Sequence, residues 1–180
     1  GDGAFYGPKI DIKVMDAMNR MHQPATIQLD FQLPIRFDLS YKTETGAMER
    51  PVMVHRAILG SVERSFAILL EHYKGKWPFW LSPRQAIVIP VNATCMEYAQ
   101  KVKQMLWDNN FLVDVDDSGR TLNKMVREAQ LEQYNYILVV GNKEVEGGQV
   151  AIRSRSNEMV GVKTLEECVA MFKEMEVNHQ

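Results

Sequence analysis

Met53–Tyr73, MVHRAILGSVERSFAILLEHY, joins a turn to an amphipathic helix, and its reading governs that of the whole chain. Ser61 is the natural N-cap, which puts Val62, Glu63 and Arg64 at the first three helical positions. Val62, Phe66, Leu69, Leu70 and Tyr73 recur at helical spacing and are expected to be buried together. Arg64 is the anomaly. A cation in the first turn faces the positive end of the helix dipole, at a cost of about 0.3–1 kcal/mol. Either Arg64 points into water, or something anionic is meant to meet it.

Upstream, Ile10, Ile12 and Val14 alternate with polar residues, as do Ile27, Leu29 and Phe31. That period of two predicts half-buried strands. A third strand is expected across Arg36–Tyr41, before the turn TETG. The N-terminal part reads as an antiparallel sheet with one wet face, closed by the helix after Ser61. Gln28 and Asp30 share the face opposite Ile27 and Leu29, which is solvent-facing or the floor of a polar pocket.

Downstream, YKGKWPFWLSPRQAIVIPV breaks the pattern with Pro78 and Pro83 and begins a new apolar run near Ala86. The domain boundary is placed at Ser82, giving domains 1–82 and 83–180. AIVIPV, FLVDV, YILVVG, QVAIRSR and MVGV read as five strands. Helices between them are expected to start at Thr94-x-x-Glu97, at Thr121 and at Thr164-x-x-Glu167. The expected fold class is therefore α+β followed by α/β. The second sheet is read as five-stranded, mixed and mostly parallel, with helices on both faces.

The chain has 180 residues, with 21 Lys+Arg against 23 Asp+Glu and a net charge of −2. That balance excludes a general nucleic-acid glue, so any RNA contact must be local and specific. Cys95 and Cys168 have no metal-like spacing, and no apolar run is long enough to span a membrane. His55 has no helical His partner, so by itself it reads as a structural histidine. GDGAFYGPK, with Gly1, Gly3 and Gly7, reads as a hairpin with an aromatic and a lysine, not as a phosphate loop. Arg153 and Arg155 on one strand, with Lys143 and Glu144 in the loop before it, form either a solvated rim or a ligand edge. Arg120, Lys124 and Arg127 leave the same choice open.

Six stretches together carry a resemblance: GDGAFYGPKID, TIQLDFQLPIRF, RPVMVHRAILGSVER, WLSPRQ, REAQL and LVVGNKEVEGGQVAIRSR. They resemble, in the same order, the C-terminal portion of the threonyl-tRNA synthetases, class II enzymes. HRAILGSVER is similar to that family's version of motif 3. The resemblance implies an ATP site at Arg64, the catalytic arginine, with Ser61 and Gln23 near the nucleotide. It implies threonine contacts at Tyr6 and Gln28, and at His55 one ligand of a catalytic Zn2+ whose other two ligands are expected upstream. ATP would enter with Mg2+. Glu144, Arg153, Gly119 and Arg127 are implied as anticodon contacts. The implied partners are tRNA(Thr), threonine and ATP, in a homodimer once the enzyme is complete, in cytoplasm or mitochondria and without a membrane. Pro24 departs from the family, where Cys often follows the residue matching Gln23. The rival reading is a non-catalytic module, derived from a synthetase, that binds tRNA or a protein.

Overall fold

The computed structural model describes residues 3–180, so Gly1 lies outside the described residues. The chain divides into two compact units, one up to Lys74 and one from Gly75 to Gln180.

The first unit contains a three-stranded antiparallel sheet of β1 (Lys9–Met15), β2 (Met21–Asp30) and β5 (Met53–Ala57), with β2 in the middle. Between β2 and β5 run the short helix α1 (Leu33–Arg36) and a small hairpin of β3 (Tyr41–Lys42) and β4 (Met48–Glu49). The strand expected across Arg36–Tyr41 is therefore not formed. Asp30 turns the chain there: its carboxylate accepts from the backbone N–H groups of Gln32 and Leu33, both at 2.9 Å. Pro34 then sits where a helix start tolerates it. The third strand of the sheet is instead β5, in the stretch first read as a turn.

Helix α2 (Val62–Tyr73) begins at Ser61 as expected, the Ser61 Oγ accepting from the Arg64 N–H at 3.3 Å. Its apolar face is another matter. Val62, Phe66 and Leu70 are exposed, and only Leu69 and Tyr73 of the expected set are partly covered. The sheet shows the same inversion. Ile10, Ile12 and Val14 are exposed, whereas Lys9, Asp11, Thr26 and Gln28 are partly buried. Up to Lys74, the buried described residues are Asp30, Pro34 and Ser65, with Pro34 the one apolar side chain among them.

The second unit holds the core. Its five-stranded sheet has the order β10 (Met159–Thr164), β9 (Gln149–Ser154), β8 (Tyr136–Val140), β6 (Ala86–Pro90), β7 (Val113–Val115). Strand β6 is parallel to both β7 and β8, while β8–β9 and β9–β10 are antiparallel. The sheet is thus mixed and mostly parallel in strand direction, as expected, with β9 the one reversed strand of the five. A parallel connection needs a crossover of about a dozen residues or more. Only the short helix α5 (Asn142–Gly147) separates β8 from β9, so the chain comes straight back.

Alternate residues of the sheet serve two layers. Val88, Leu138, Val140, Val150 and Ile152 pack with α3 (Met96–Asp108) and α6 (Leu165–Val177). Ile87, Ile89, Ile137 and Val139 pack with α4 (Leu122–Leu131) on the opposite face. The first layer centres on an aromatic cluster in which Phe172 meets Phe79, Phe111 and Tyr136, with centroids 4.7–5.4 Å apart. Phe79 lies in a 3₁₀ turn, Phe79–Leu81, and is buried. Asn135 Nδ2 and Arg155 Nη2 both donate to the Trp77 carbonyl, at 3.0 and 2.6 Å. These ties draw residues 75–82 into the second unit and move the boundary ahead of Ser82.

Two of the three expected helix starts differ in detail. Thr164 and Glu167 form the reciprocal cap, at 2.9 and 3.2 Å. Thr121 precedes α4 without a side-chain cap, and Thr94 falls inside a 3₁₀ turn, Ala93–Cys95, where its hydroxyl donates to Asn92.

Candidate functional site

In the first unit, strand register assembles a polar row. Gln28 pairs with Lys9 on one side and His55 on the other, and Thr26 with Asp11 in the next row. The Tyr6 hydroxyl donates to the Gln28 Oε1. The Thr26 hydroxyl donates to Asp11 at 2.8 Å, and Lys9 forms an ion pair with Asp11 at 2.9 Å. Tyr6 reaches this row because the backbone before β1 lies hard against β2. A Cβ on Gly7 would stand 2.3 Å from the Leu29 carbonyl oxygen, so no other residue fits there without moving the segment.

His55 sits at the far end of the row, its Nε2 2.9 Å from Asp30 Oδ2. Asp30 is fully buried, while the His55 side chain is 40% exposed. Burial pushes the Asp30 carboxyl upward, but the Leu33 N–H, the His55 ring and the Gln32 N–H outweigh it. The net effect holds Asp30 below the ordinary aspartate value. An imidazole anchored through one nitrogen on a buried carboxylate is oriented as metal-ligating histidines are. Among the described residues no cluster of three His, Cys, Asp or Glu side chains could hold a metal. His55 fits as one donor, not as a whole site.

Arg64 is exposed in the first turn of α2 and makes no ion pair among the described residues. Glu63 beside it eases the dipole cost. The Ser61 hydroxyl donates to Glu63 at 2.7 Å, which keeps that carboxyl below its usual range. The loop ahead of the helix is pinned twice. The Ser65 hydroxyl donates to the Leu59 carbonyl at 2.5 Å. Gly60, at φ +62°, leaves no room for a Cβ beside the Pro24 carbonyl, 2.8 Å away, with the Gln23 carbonyl close behind. Gln23, exposed on β2, therefore shares a neighbourhood with Ser61 and the start of α2.

In the second unit the order β8-β6-β7 makes β6 the point where the chain changes direction across the sheet, and ligands gather beyond such strand ends. A cavity of about 260 Å3 opens there, lined by Val91, Asn92, Asp116, Asp117, Gly119 and Arg120. Gly119 has φ +67°, a conformation that favours glycine. Arg120 is engaged within its own surroundings by Asp116, Ser118 and Glu128. Glu144 stands in the first turn of α5, its carboxylate accepting from the Gly141 N–H at 2.9 Å. Arg127 and Arg153 come together elsewhere, in a cavity of about 270 Å3 between α4 and β9. Arg153 Nη1 donates to Asn157 Oδ1 at 3.1 Å. Arg155 does not join them: it is bound to the Trp77 carbonyl, and burial draws its guanidinium below the ordinary arginine value.

Three residues with a part in these sites escaped the sequence. Asp30 was visible on the Gln28 face, but alternation left open whether that face is wet or the floor of a polar pocket. Ser65 looked like one more helical position. Asn157 carried only the weak signal of a turn residue in SRSN.

An antiparallel sheet leading into a helix with a capped arginine, followed by a mixed α/β unit, is matched in two halves. The tRNA synthetase class II core domain (G, H, P, S and T) matches residues 1–73, and the anticodon binding domain matches residues 85–175. The chain thus belongs to the class II aminoacyl-tRNA synthetases, pairing core and anticodon-binding domain.

Relatives narrow this. The chain is 63% identical over 174 residues to the mitochondrial threonine–tRNA ligase 1 of Arabidopsis thaliana, covering 96% of this chain and 24% of that one. It is 61% identical over 177 residues to the human cytoplasmic threonine–tRNA ligase 1, covering 97% and 24%. The crystal structure of the RNA binding domain of threonyl-tRNA synthetase from Cryptosporidium parvum Iowa II superposes with a TM-score of 0.84. It is 52% identical, with 97% of this chain and 44% of that one covered. Within its class, the chain belongs to the threonyl-tRNA synthetase family, and it spans about a quarter of the length of these curated ligases. No helix among the described residues is long and apolar enough to cross a membrane.

Proposed function

We propose that this chain supplies one wall of a threonine-activating site and the anticodon reader of a threonine–tRNA ligase. In that reaction a threonine carboxylate oxygen attacks the α-phosphorus of ATP and pyrophosphate leaves. A hydroxyl of the tRNA terminal adenosine then attacks the acyl carbon and AMP departs. Arg64, with no ion-pair partner among the described residues, would meet the nucleotide, the Mg2+ complex of ATP, beside Ser61 and Gln23. Its charge there would be met by phosphate, which explains a cation at a helix start. Tyr6 and Gln28 would line the threonine pocket. His55, oriented by Asp30, would supply one donor to a zinc ion. Such a zinc, when bound, contributes Lewis-acid contacts to the threonine amino and hydroxyl groups and so favours threonine over valine. The complete enzyme would act as a homodimer. Its compartment would be the cytoplasm or the mitochondrion, both of which occur among the relatives.

Glu144, Arg153, Gly119 and Arg127 would read the anticodon of tRNA(Thr), by hydrogen bonds to the edges of splayed bases. The observation that carries this is the pairing of Arg127 and Arg153 at one cavity with no acidic lining residue. The test is titration of the chain with a tRNA(Thr) anticodon stem-loop and with one whose central and third anticodon bases are exchanged. Arg153→Ala should erase about 10- to 100-fold of discrimination, the worth of a bidentate base contact. Equal, weak binding of both stem-loops by the unmodified chain would overturn the reading.

The same reading expects no threonine-dependent ATP–pyrophosphate exchange from the chain alone, because His55 is a single metal donor and the polar row is open. Exchange above background would show that a complete activating site is present.

A further inference from the structure

We propose that Asn157 is the positioning residue for the Arg153 guanidinium, holding Nη1 so that the free Nη2–H groups face a base that offers acceptors. The inference rests on the anticodon reading above.

The β9–β10 hairpin turn is braced at each position. The Asn157 N–H donates to the Ser154 carbonyl at 2.8 Å, and the Ser154 N–H to the Glu158 carbonyl at 2.9 Å. Ser154 Oγ accepts from the Glu158 N–H at 3.2 Å and lies 2.9 Å from Ser156 Oγ. Asn157 takes φ +68°, a left-handed conformation that asparagine tolerates better than most residues. The turn therefore sets where the Asn157 carboxamide points, and its oxygen accepts from Arg153 Nη1 at 3.1 Å.

The rest of the guanidinium is unspent. Arg153 Nε is buried, with no hydrogen-bond partner among the described residues. Buried donors are rarely left so. With Nη1 held by Asn157 and Nε buried, Nη2 is the nitrogen left to a ligand, and its charged N–H groups suit an acceptor at the cavity. The cavity beside it is lined by Asn123, Arg127, Gln130 and Asn157 along with Arg153, and by no carboxylate. Such a wall suits a ligand edge made of acceptors, such as O6 and N7 of guanine. Fixing an arginine before binding removes part of the ordering cost that binding otherwise bears.

The test uses the full chain and the same two stem-loops, with Asn157→Gly, Asn157→Asp and Arg153→Ala. Glycine keeps the left-handed backbone and removes the carboxamide, acceptor included, and aspartate keeps an acceptor oxygen at that place. Asn157→Gly should lower discrimination about 3- to 10-fold, with the thermal midpoint unchanged, and Asn157→Asp should restore most of it. In the free chain, the Arg153 Nε–H resonance should be slowly exchanging in the unmodified protein and in Asn157→Asp, and broadened in Asn157→Gly. Wild-type discrimination in Asn157→Gly alongside its loss in Arg153→Ala overturns the role of Asn157 and leaves the anticodon reading standing. Wild-type discrimination in Arg153→Ala overturns both.

Discussion

Residues 75–180 produced alone will unfold as one cooperative transition, and residues 1–74 produced alone will show none. The two units differ in what they bury. Apart from Pro34, every buried apolar side chain among the described residues lies at Phe79 or beyond. Ordering a residue's backbone costs about 1–2 kcal/mol, and burial of apolar surface is the main term that offsets it. The first unit has sheet hydrogen bonds and a polar row, but Ile10, Ile12, Val62 and Phe66 remain exposed. Hydrogen bonds alone add only about 0.5–1.5 kcal/mol each, net of those given up to water. Circular dichroism and calorimetry on the two pieces check this. A sharp calorimetric transition in residues 1–74 would refute it.

Phe172→Ala will lower the stability of the second unit by about 3–5 kcal/mol, the usual loss for emptying a buried aromatic site. Phe172 is fully buried and touches rings from three separate parts of the chain: Phe79 before β6, Phe111 before β7 and Tyr136 at the start of β8. Removing it leaves a void among side chains that belong to different elements, so no single element can shift to fill it. Phe172→Leu, which keeps most of the volume, should lose markedly less. Urea denaturation of the full chain, following the tryptophans near this cluster, measures both. A loss under 1 kcal/mol for Phe172→Ala would show that the cluster does not hold the layer together.

Local chemistry was legible wherever a short stretch decides the outcome by itself. The Ser61 and Thr164 caps need only a hydroxyl at the right position before an apolar run, and both are formed. The five strands of the second unit are equally local, since AIVIPV and YILVVG can only be covered on both faces. The family, too, was legible from ordered motifs.

What the sequence could not determine depends on partners distant in the chain. Alternation told that Ile10 and Lys9 lie on opposite faces, but not which face is covered, because the covering layer is not a property of the strand. The direction of β9 followed from the length of α5, a detail of where a helix stops. Asp30 was equally readable as a wet aspartate until His55, 25 residues on, and the start of α1 were seen to enclose it. Arg153 and Arg155 look alike on one strand, yet one faces a cavity with Arg127 and the other is tied to Trp77. Period, caps and turns arise from neighbours within a few residues. Burial, charge pairing and the shape of a site arise from contacts across the fold, and tertiary structure alone decided them.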